Sequence, residues 1–192
     1  MPKMKREVAV YYDKNFEKYT KESLLEAIDN YLEFSSAVDF ADSEAAGAAG
    51  LSIGSYSSPS GTFFVNNAIR YAISNSYSHY IKGACGKCAK KVREMLEAGG
   101  INTNGHPVSA YQYAGFLPKI GFRHIATLKT KSEQASWTSS NARPGDIAVM
   151  AHGEHGHICM WCGRQWISDF KQNSMWVYSG DGTCAIFRFG NF

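Results

Sequence analysis

The spacing of apolar residues changes once along this chain of 192 residues, near Gly121, and this change constrains the fold more than any other feature. Before Gly121, apolar residues recur every three or four positions, which is typical of amphipathic helices. After it, they alternate with polar residues in short segments separated by Gly, Asn, Asp and Ser, which predicts an antiparallel meander. A run of helices followed by a run of strands indicates an α+β fold, with helices packed on a sheet of about six strands.

The predicted elements follow from this change of spacing. The predicted helices are about Thr20–Ala46, Phe64–Tyr80, a helix from Cys88 to a stop at Gly99-Gly100, and a short piece around Ser109–Phe116 ended by Pro118. The predicted strands are His124–Leu128, Asp146–Met150, His157–Trp161, Gln165–Phe170, Met175–Tyr178 and Ala185–Phe189.

A composition shift separates the first third of the chain from the rest. Residues 51–61 contain five serines, two glycines and a proline, which predicts a loop or hinge. We therefore predict an N-terminal helical extension with a hinge over residues 1–62 and a main domain over residues 63–192. The helical stripe of the extension is typical of a core-facing helix, although a docking arm or a lid has the same pattern.

Charge and hydropathy exclude several classes of partner. The net charge is +3, with 20 Lys and Arg scattered among 17 Asp and Glu, so no nucleic-acid partner is expected. No apolar stretch approaches the roughly 18 residues that a membrane span requires, so no membrane span is expected either. The basic start, residues 1–6, is not followed by the apolar segment of a signal peptide. The protein is therefore expected to be made in the cytoplasm and to need a dedicated route to any target outside it.

The five cysteines form two Cys-x-x-Cys pairs, Cys85/Cys88 and Cys159/Cys162, with Cys184 left over. An odd number cannot pair fully, and a chain of this size does not need a disulfide framework. Cys88 stands at the first turn of a predicted helix, where unpaired backbone N–H groups and the helix dipole stabilise a thiolate. A free cysteine is more often a small buried apolar residue, so this segment alone does not establish a nucleophile.

A histidine and an acidic residue on neighbouring predicted strands favour the interpretation of Cys88 as a nucleophile. If His157 opens one strand and Asp169 lies on its hairpin partner, the two side chains can lie side by side. An imidazole beside a carboxylate becomes an oriented and more basic proton acceptor. Cys88, His157 and Asp169 thus fit the roles of nucleophile, base and orienting residue.

At these residues the sequence resembles the CHAP and NlpC-type cysteine peptidases and amidases that cut peptidoglycan. The resemblance is closest to phage lysis proteins and type VI secretion amidase effectors, and it covers roughly Phe64 to the C-terminus. Four segments carry it: Gly86-Lys87-Cys88-Ala89-Lys90-Lys91-Val92-Arg93, Pro144-Gly145-Asp146-Ile147-Ala148-Val149, Gly156-His157-Ile158 and Trp166-Ile167-Ser168-Asp169-Phe170.

The resemblance implies a papain-like fold in which Cys88 is the nucleophile, His157 the general base and Asp169 the third polar residue. It implies an amide bond of the peptidoglycan peptide as substrate, with no metal or organic cofactor. The NlpC-type pattern usually has Asp-Cys-Ser at the nucleophile and a histidine or an amide as third residue, so the role of Asp169 departs from it.

The resemblance also implies a biological setting. It implies bacterial lysis or interbacterial antagonism at the cell wall or periplasm, after delivery by a holin, a secretion system or a phage tail. In the case of antagonism, an immunity protein that plugs the site is the expected partner.

Other functions use the same residues. The two cysteine pairs could form a four-thiolate zinc site with help from the histidines of residues 152–157, but they lie about seventy residues apart, against the usual 15–20. Cys85 and Cys88 could form a thioredoxin-like redox pair, or a disulfide that silences the nucleophile. A transglutaminase-like acyltransferase would use the same triad with an amine in place of water. A non-catalytic cell-wall binding module would need none of these groups to react.

Overall fold

The computed structural model of the chain describes residues 55–58 and 61–190. The chain divides into a unit from Met1 to Ile53 and a unit from Gly54 to Phe192, and the described residues belong to the second. The helix predicted over Thr20–Ala46 lies outside the described residues. Among those residues, every helix is too short or too polar to cross a lipid bilayer.

The described part of the chain has an α+β fold, as the apolar spacing predicts, and it contains four α-helices and a sheet of six antiparallel strands. The helices are α1 (Val65–Asn75), α2 (Cys88–Ala98), α3 (Tyr113–Phe116) and α4 (Lys131–Ser140), with 3₁₀ turns at Ala110–Gln112 and Leu117–Ile120. The strands are β1 (Ser55–Ser58), β2 (Gly61–Phe64), β3 (Phe122–Leu128), β4 (Ile147–Met150), β5 (His157–Trp161), β6 (Trp166–Ile167), β7 (Lys171–Gln172) and β8 (Cys184–Phe189).

The strand order in the six-stranded sheet is β3-β8-β4-β5-β6-β7. The last strand, β8, inserts between β3 and β4, so the C-terminal segment completes the centre of the sheet. Every residue of β4 and β5 is buried, because these central strands are covered on both faces. Met150 at the end of β4 pairs with His157 at the start of β5, which places His157 at one end of the sheet.

The two faces of the sheet bury different sets of side chains, since successive residues of a strand point in opposite directions. Helices α1 and α2 pack against each other, and α2 packs against β5. The apolar residues of α1 recur at helical spacing and are buried: Val65, Ala68, Ile69, Ala72 and Ile73. An aromatic and sulfur-rich cluster includes Ala148, Met150, Cys159, Trp161, Trp166, Met175, Trp176, Cys184 and Ile186.

Two predicted strands differ from the structure. The predicted strand Gln165–Phe170 is only two residues long, and the predicted strand Met175–Tyr178 is wrong because this segment is a loop. Its backbone carbonyls are bonded by side chains: the Ser174 hydroxyl donates to the Trp176 carbonyl at 2.7 Å. The loop buries the apolar side chains of Met175 and Trp176 in the core. A short run of apolar residues that is buried in a loop has the same sequence pattern as a buried strand, which explains the wrong prediction.

Two further predictions need correction, one for a helix and one for a loop, and one helix was not predicted. Helix α1 ends at Asn75 and not at Tyr80, because the chain becomes extended at Ser76 and Tyr77 then bridges to Phe170. The predicted hinge contains β1, which pairs with β2 in a hairpin. Helix α4 was not predicted at all, since its only buried residue is Gln134 and its side chains show almost no apolar stripe. Its sequence signal is the capping box of Thr130 and Glu133 at its start.

Candidate active site

Cys88 is the first residue of α2, as its position after Gly86-Lys87 predicts. Its side chain is half-buried, and its thiol interacts with the backbone of Ile158, next to His157 on β5. Burial raises the pKa of the Cys88 thiol above 9.0, and the charge of Asp169 raises it further, against a partial lowering by the Ile158 backbone. The thiol is therefore protonated at neutral pH, so burial outweighs the thiolate stabilisation expected from a helix start, and the group needs a base to react.

The carboxylate of Asp169 holds the loop that precedes Cys88. Its Oδ2 atom accepts hydrogen bonds from the backbone N–H groups of Gly86 and Lys87, both at 2.7 Å. The side chain is 4% exposed, and the Asp169 carbonyl accepts a further bond from the Tyr77 N–H. Gly86 has a φ of +119°, which a residue with a Cβ rarely adopts. Asp169 thus fixes a turn that needs glycine at position 86 and whose end carries the sulfur.

His157 begins β5 and is nearly fully buried. A Cβ at the preceding residue, Gly156, would lie 2.4 Å from the Met150 carbonyl oxygen, so only glycine fits this close turn. The Nε2 atom of His157 is hydrogen-bonded to the Oε1 atom of Gln172 on β7 at 2.8 Å. The structure therefore gives His157 a side-chain partner that the sequence reasoning missed.

The hydrogen bonds of Gln172 decide which tautomer His157 adopts. The amide nitrogen of Gln172 donates to the carbonyls of Ser174 at 3.1 Å and Met175 at 3.2 Å, so its oxygen must face His157. An amide oxygen accepts only, and His157 Nε2 must therefore carry the proton and donate it. The other ring nitrogen, Nδ1, is left unprotonated and is the atom available as a base.

The prediction that Asp169 orients His157 is corrected by these hydrogen bonds. The two residues are close enough for the Asp169 charge to raise the pKa of His157, but the orienting hydrogen bond to His157 comes from Gln172. The reason is the length of β6, which ends at Ile167 and lets the chain turn before Asp169. The signal that could have pointed to Gln172 is the resemblance alone, since the NlpC-type pattern has a histidine or an amide as its third residue.

Aromatic rings flank the candidate site on its other sides. The His157 ring lies 6.2 Å from the ring of Phe170 and 6.4 Å from that of Tyr178, measured between centroids. Tyr178 is in turn stacked on His152, with centroids 4.0 Å apart. These rings limit the access of water to the imidazole, and burial accordingly lowers its pKa below 6.5.

The remaining cysteines are placed differently from Cys88. Cys159, Cys162 and Cys184 are buried, and burial raises the pKa of the Cys184 thiol to about 12. Cys85 is a free, half-buried thiol whose sulfur accepts from the Ile81 N–H at 3.2 Å. Within residues 55–58 and 61–190, no group of three or more His, Cys, Asp or Glu side chains is placed to hold a metal ion.

Among the described residues, the His157 imidazole is hydrogen-bonded to the Gln172 amide, and the Cys88 thiol contacts the backbone of Ile158, the residue that follows His157 on β5. This arrangement defines a candidate cysteine active site. The chain matches no protein-family model, no curated protein and no solved structure. The assignment of an activity therefore depends on the geometry of the site and on the four motifs of the sequence.

Proposed function

We propose that the protein is a papain-like cysteine hydrolase that cleaves an amide bond in the peptide part of peptidoglycan. The observation that carries the chemistry is the hydrogen bond between His157 and Gln172, which leaves Nδ1 of a buried imidazole unprotonated, one residue before Ile158, whose backbone contacts the Cys88 thiol. The peptidoglycan substrate is supported by the resemblance of the four motifs. This substrate goes with a role in lysis or interbacterial antagonism, with delivery to the wall by a holin, a secretion system or a phage tail.

The reaction proceeds by two acyl transfers. His157 Nδ1 takes the proton of the Cys88 thiol as the sulfur attacks the substrate carbonyl carbon. The backbone N–H of Cys88 lies at a helix start and is a suitable donor to the oxyanion. The protonated imidazole gives its proton to the leaving amine as the C–N bond breaks. His157 then deprotonates a water molecule, which attacks the thioester carbonyl carbon. The C–S bond breaks, the acid is released, and the protonated imidazole returns its proton to the Cys88 sulfur.

The proposed roles of the two polar residues follow their hydrogen bonds. Gln172 orients His157 and is a positioning residue, since it acts through the imidazole. Asp169 is also a positioning residue and acts through the turn before Cys88. The amide at the third position matches the usual NlpC-type pattern better than the carboxylate does.

The acidic limb of the activity profile is expected below pH 6.5. Burial lowers the pKa of His157, and the Gln172 hydrogen bond and the Asp169 charge raise it only in part, so the neutral base persists below 6.5. In Gln172→Ala the raising contribution of the hydrogen bond is lost, and the limb should move to still lower pH. The measurement is kcat/KM against pH, with the ¹H-NMR titration of His157 as a readout that does not need turnover.

The lowered pKa of His157 also makes the stability of the protein depend on pH. Because the folded pKa of His157 is depressed, the unfolded chain takes up a proton near pH 6.5 before the folded chain does. The free energy of unfolding should therefore fall as the pH drops below 6.5, and His157→Gln should remove this contribution. An acidic limb above pH 6.5, or an imidazole titrating above 6.5, would contradict the placement of His157 as a buried neutral base.

The proposed function is tested by mass spectrometry of fragments released from purified peptidoglycan of several wall types, with reductant present. The expected result is discrete new peptide termini, which also identify the bond that is cut. Products that incorporate an added amine in place of water would support the acyltransferase. No release from any wall type would contradict the hydrolase and favour a binding module.

A further inference from the structure

A cavity of about 230 Å³ lies beside the turn that carries Cys88. The end of α1, the first turns of α2 and the carboxylate of Asp169 surround it, and we call it the lysine pocket. Its lining residues are Asn75, Tyr77, Ala84, Lys87, Lys90, Lys91, Glu94 and Asp169. Three lysines and two acidic residues thus line a small space beside the turn that precedes the candidate nucleophile.

The two carboxylates of the lysine pocket are already engaged by the protein. Asp169 accepts the two backbone N–H groups described above. Glu94 accepts from Lys91 Nζ at 2.7 Å and from the Tyr71 hydroxyl at 2.8 Å. Lys91 also lies over the Tyr71 ring, 5.4 Å from its centroid. Lys91 and Glu94 therefore neutralise each other within the pocket wall.

Two positive charges of the lysine pocket are not matched in this way. Lys90 Nζ lies 3.8 Å from Glu94 Oε1, longer than a hydrogen bond, and its side chain is 60% exposed. Lys87 is exposed, and within the described part of the chain its ammonium group makes neither a hydrogen bond nor an ion pair. Lys87 and Lys90 thus add two positive charges to the lining of the pocket, against the single negative charge of Asp169, whose side chain accepts, among the described residues, only from backbone N–H groups.

We propose that the lysine pocket binds a free carboxylate of the substrate, within one or two residues of the scissile carbonyl. The position follows from the chain, because Lys87 directly precedes Cys88 and consecutive Cα atoms are about 3.8 Å apart. Ammonium groups act as compact point charges with several donors, which suits a single carboxylate. This inference rests on the proposed function and adds a substrate class to it: peptides that carry an acidic group beside the cleaved amide.

The test compares synthetic peptidoglycan stem peptides in which each free carboxylate is converted in turn to an amide. For the parent protein, amidation of the carboxylate nearest the cleaved bond should lower kcat/KM by about tenfold or more, as expected for a charged hydrogen bond. In the double variant Lys87→Met/Lys90→Met, the acid and the amide should be cleaved at equal rates. Lys119→Met, a change of an exposed lysine outside the pocket, is the matched control and should keep the parent preference.

The outcomes distinguish a failure of the lysine pocket from a failure of the proposed function. The amidated peptide reports on the catalytic groups, so its unchanged cleavage by the double variant shows that the site is still folded. Equal cleavage of acid and amide by the parent, or a preference that survives in the double variant, would overturn the lysine pocket alone. Cleavage of none of the peptides by the parent would overturn the proposed function and the inference with it.

Discussion

Replacing Cys88 with alanine is expected to abolish amide hydrolysis while the fold is retained. No other thiol can substitute, because Cys159, Cys162 and Cys184 are buried and Cys85 lies in the preceding turn. Removal of a covalent nucleophile typically lowers kcat by about 10⁴-fold or more. The side chain is small and half-buried, so the free energy of unfolding should change by only about 1 kcal/mol.

The matched control is Cys85→Ala, which removes the other half of the Cys-x-x-Cys pair. With reductant present, this variant should release the same peptidoglycan fragments as the parent at a similar rate. Without reductant, a higher activity of Cys85→Ala than of the parent would support a silencing disulfide, and equal activities would contradict it. Fragment release by Cys88→Ala would exclude Cys88 as the nucleophile.

Replacing Asp169 with alanine is expected to lower both stability and activity. The change leaves the N–H groups of Gly86 and Lys87 without their acceptor, and hydrogen bonds to charged groups contribute about 1.5–3 kcal/mol each. Once the turn relaxes, the Cys88 sulfur is no longer held in place, and a displacement of about 1 Å can cost about 10²-fold in rate. We expect a loss of about 2–3 kcal/mol in the free energy of unfolding and about a hundredfold in kcat/KM.

Denaturant unfolding and hydrogen exchange of the Gly86 and Lys87 amides measure this effect directly. Asp169→Asn is the conservative variant: it keeps an acceptor oxygen but no charge, so stability should recover in part. It should also lower the pKa of the Cys88 thiol, which the Asp169 charge raises, and the pH dependence of iodoacetamide alkylation reads this shift. Unchanged amide protection and stability in Asp169→Ala would contradict its role in the turn.

Gln172→Ala separates the two positioning roles. It removes the partner of His157 but leaves the acceptor of Gly86 and Lys87 in place, so the protection of those amides should stay at the parent level. If Asp169 oriented His157 instead, the pattern would reverse, and Gln172→Ala would leave the pKa of His157 unchanged.

The sequence alone determined the α+β class, the start of α2 at Cys88 and the central strands β4, β5 and β8. These elements are readable because their apolar residues are buried at a local period of two or of three to four. The sequence also indicated Cys88 and His157 as candidate site residues, since each is the first residue of a predicted helix or strand. Helix α4 was not predicted because only one of its residues is buried. The loop at Met175 was predicted as a strand because its apolar side chains are buried in the core.

Only the tertiary structure decided which polar side chain reaches His157. Asp169 and Gln172 are three residues apart, and the choice between them depends on where β6 ends and how β7 returns beside it. The protonation of Cys88 was likewise undetermined, because a helix start lowers a thiol pKa whereas burial against β5 raises it. The pKa of the Cys88 thiol depends on contacts with residues about seventy or more positions away in the sequence. The partner of His157 depends on side-chain geometry at the turn between β6 and β7. A local pattern of residue types cannot encode the distances of such contacts.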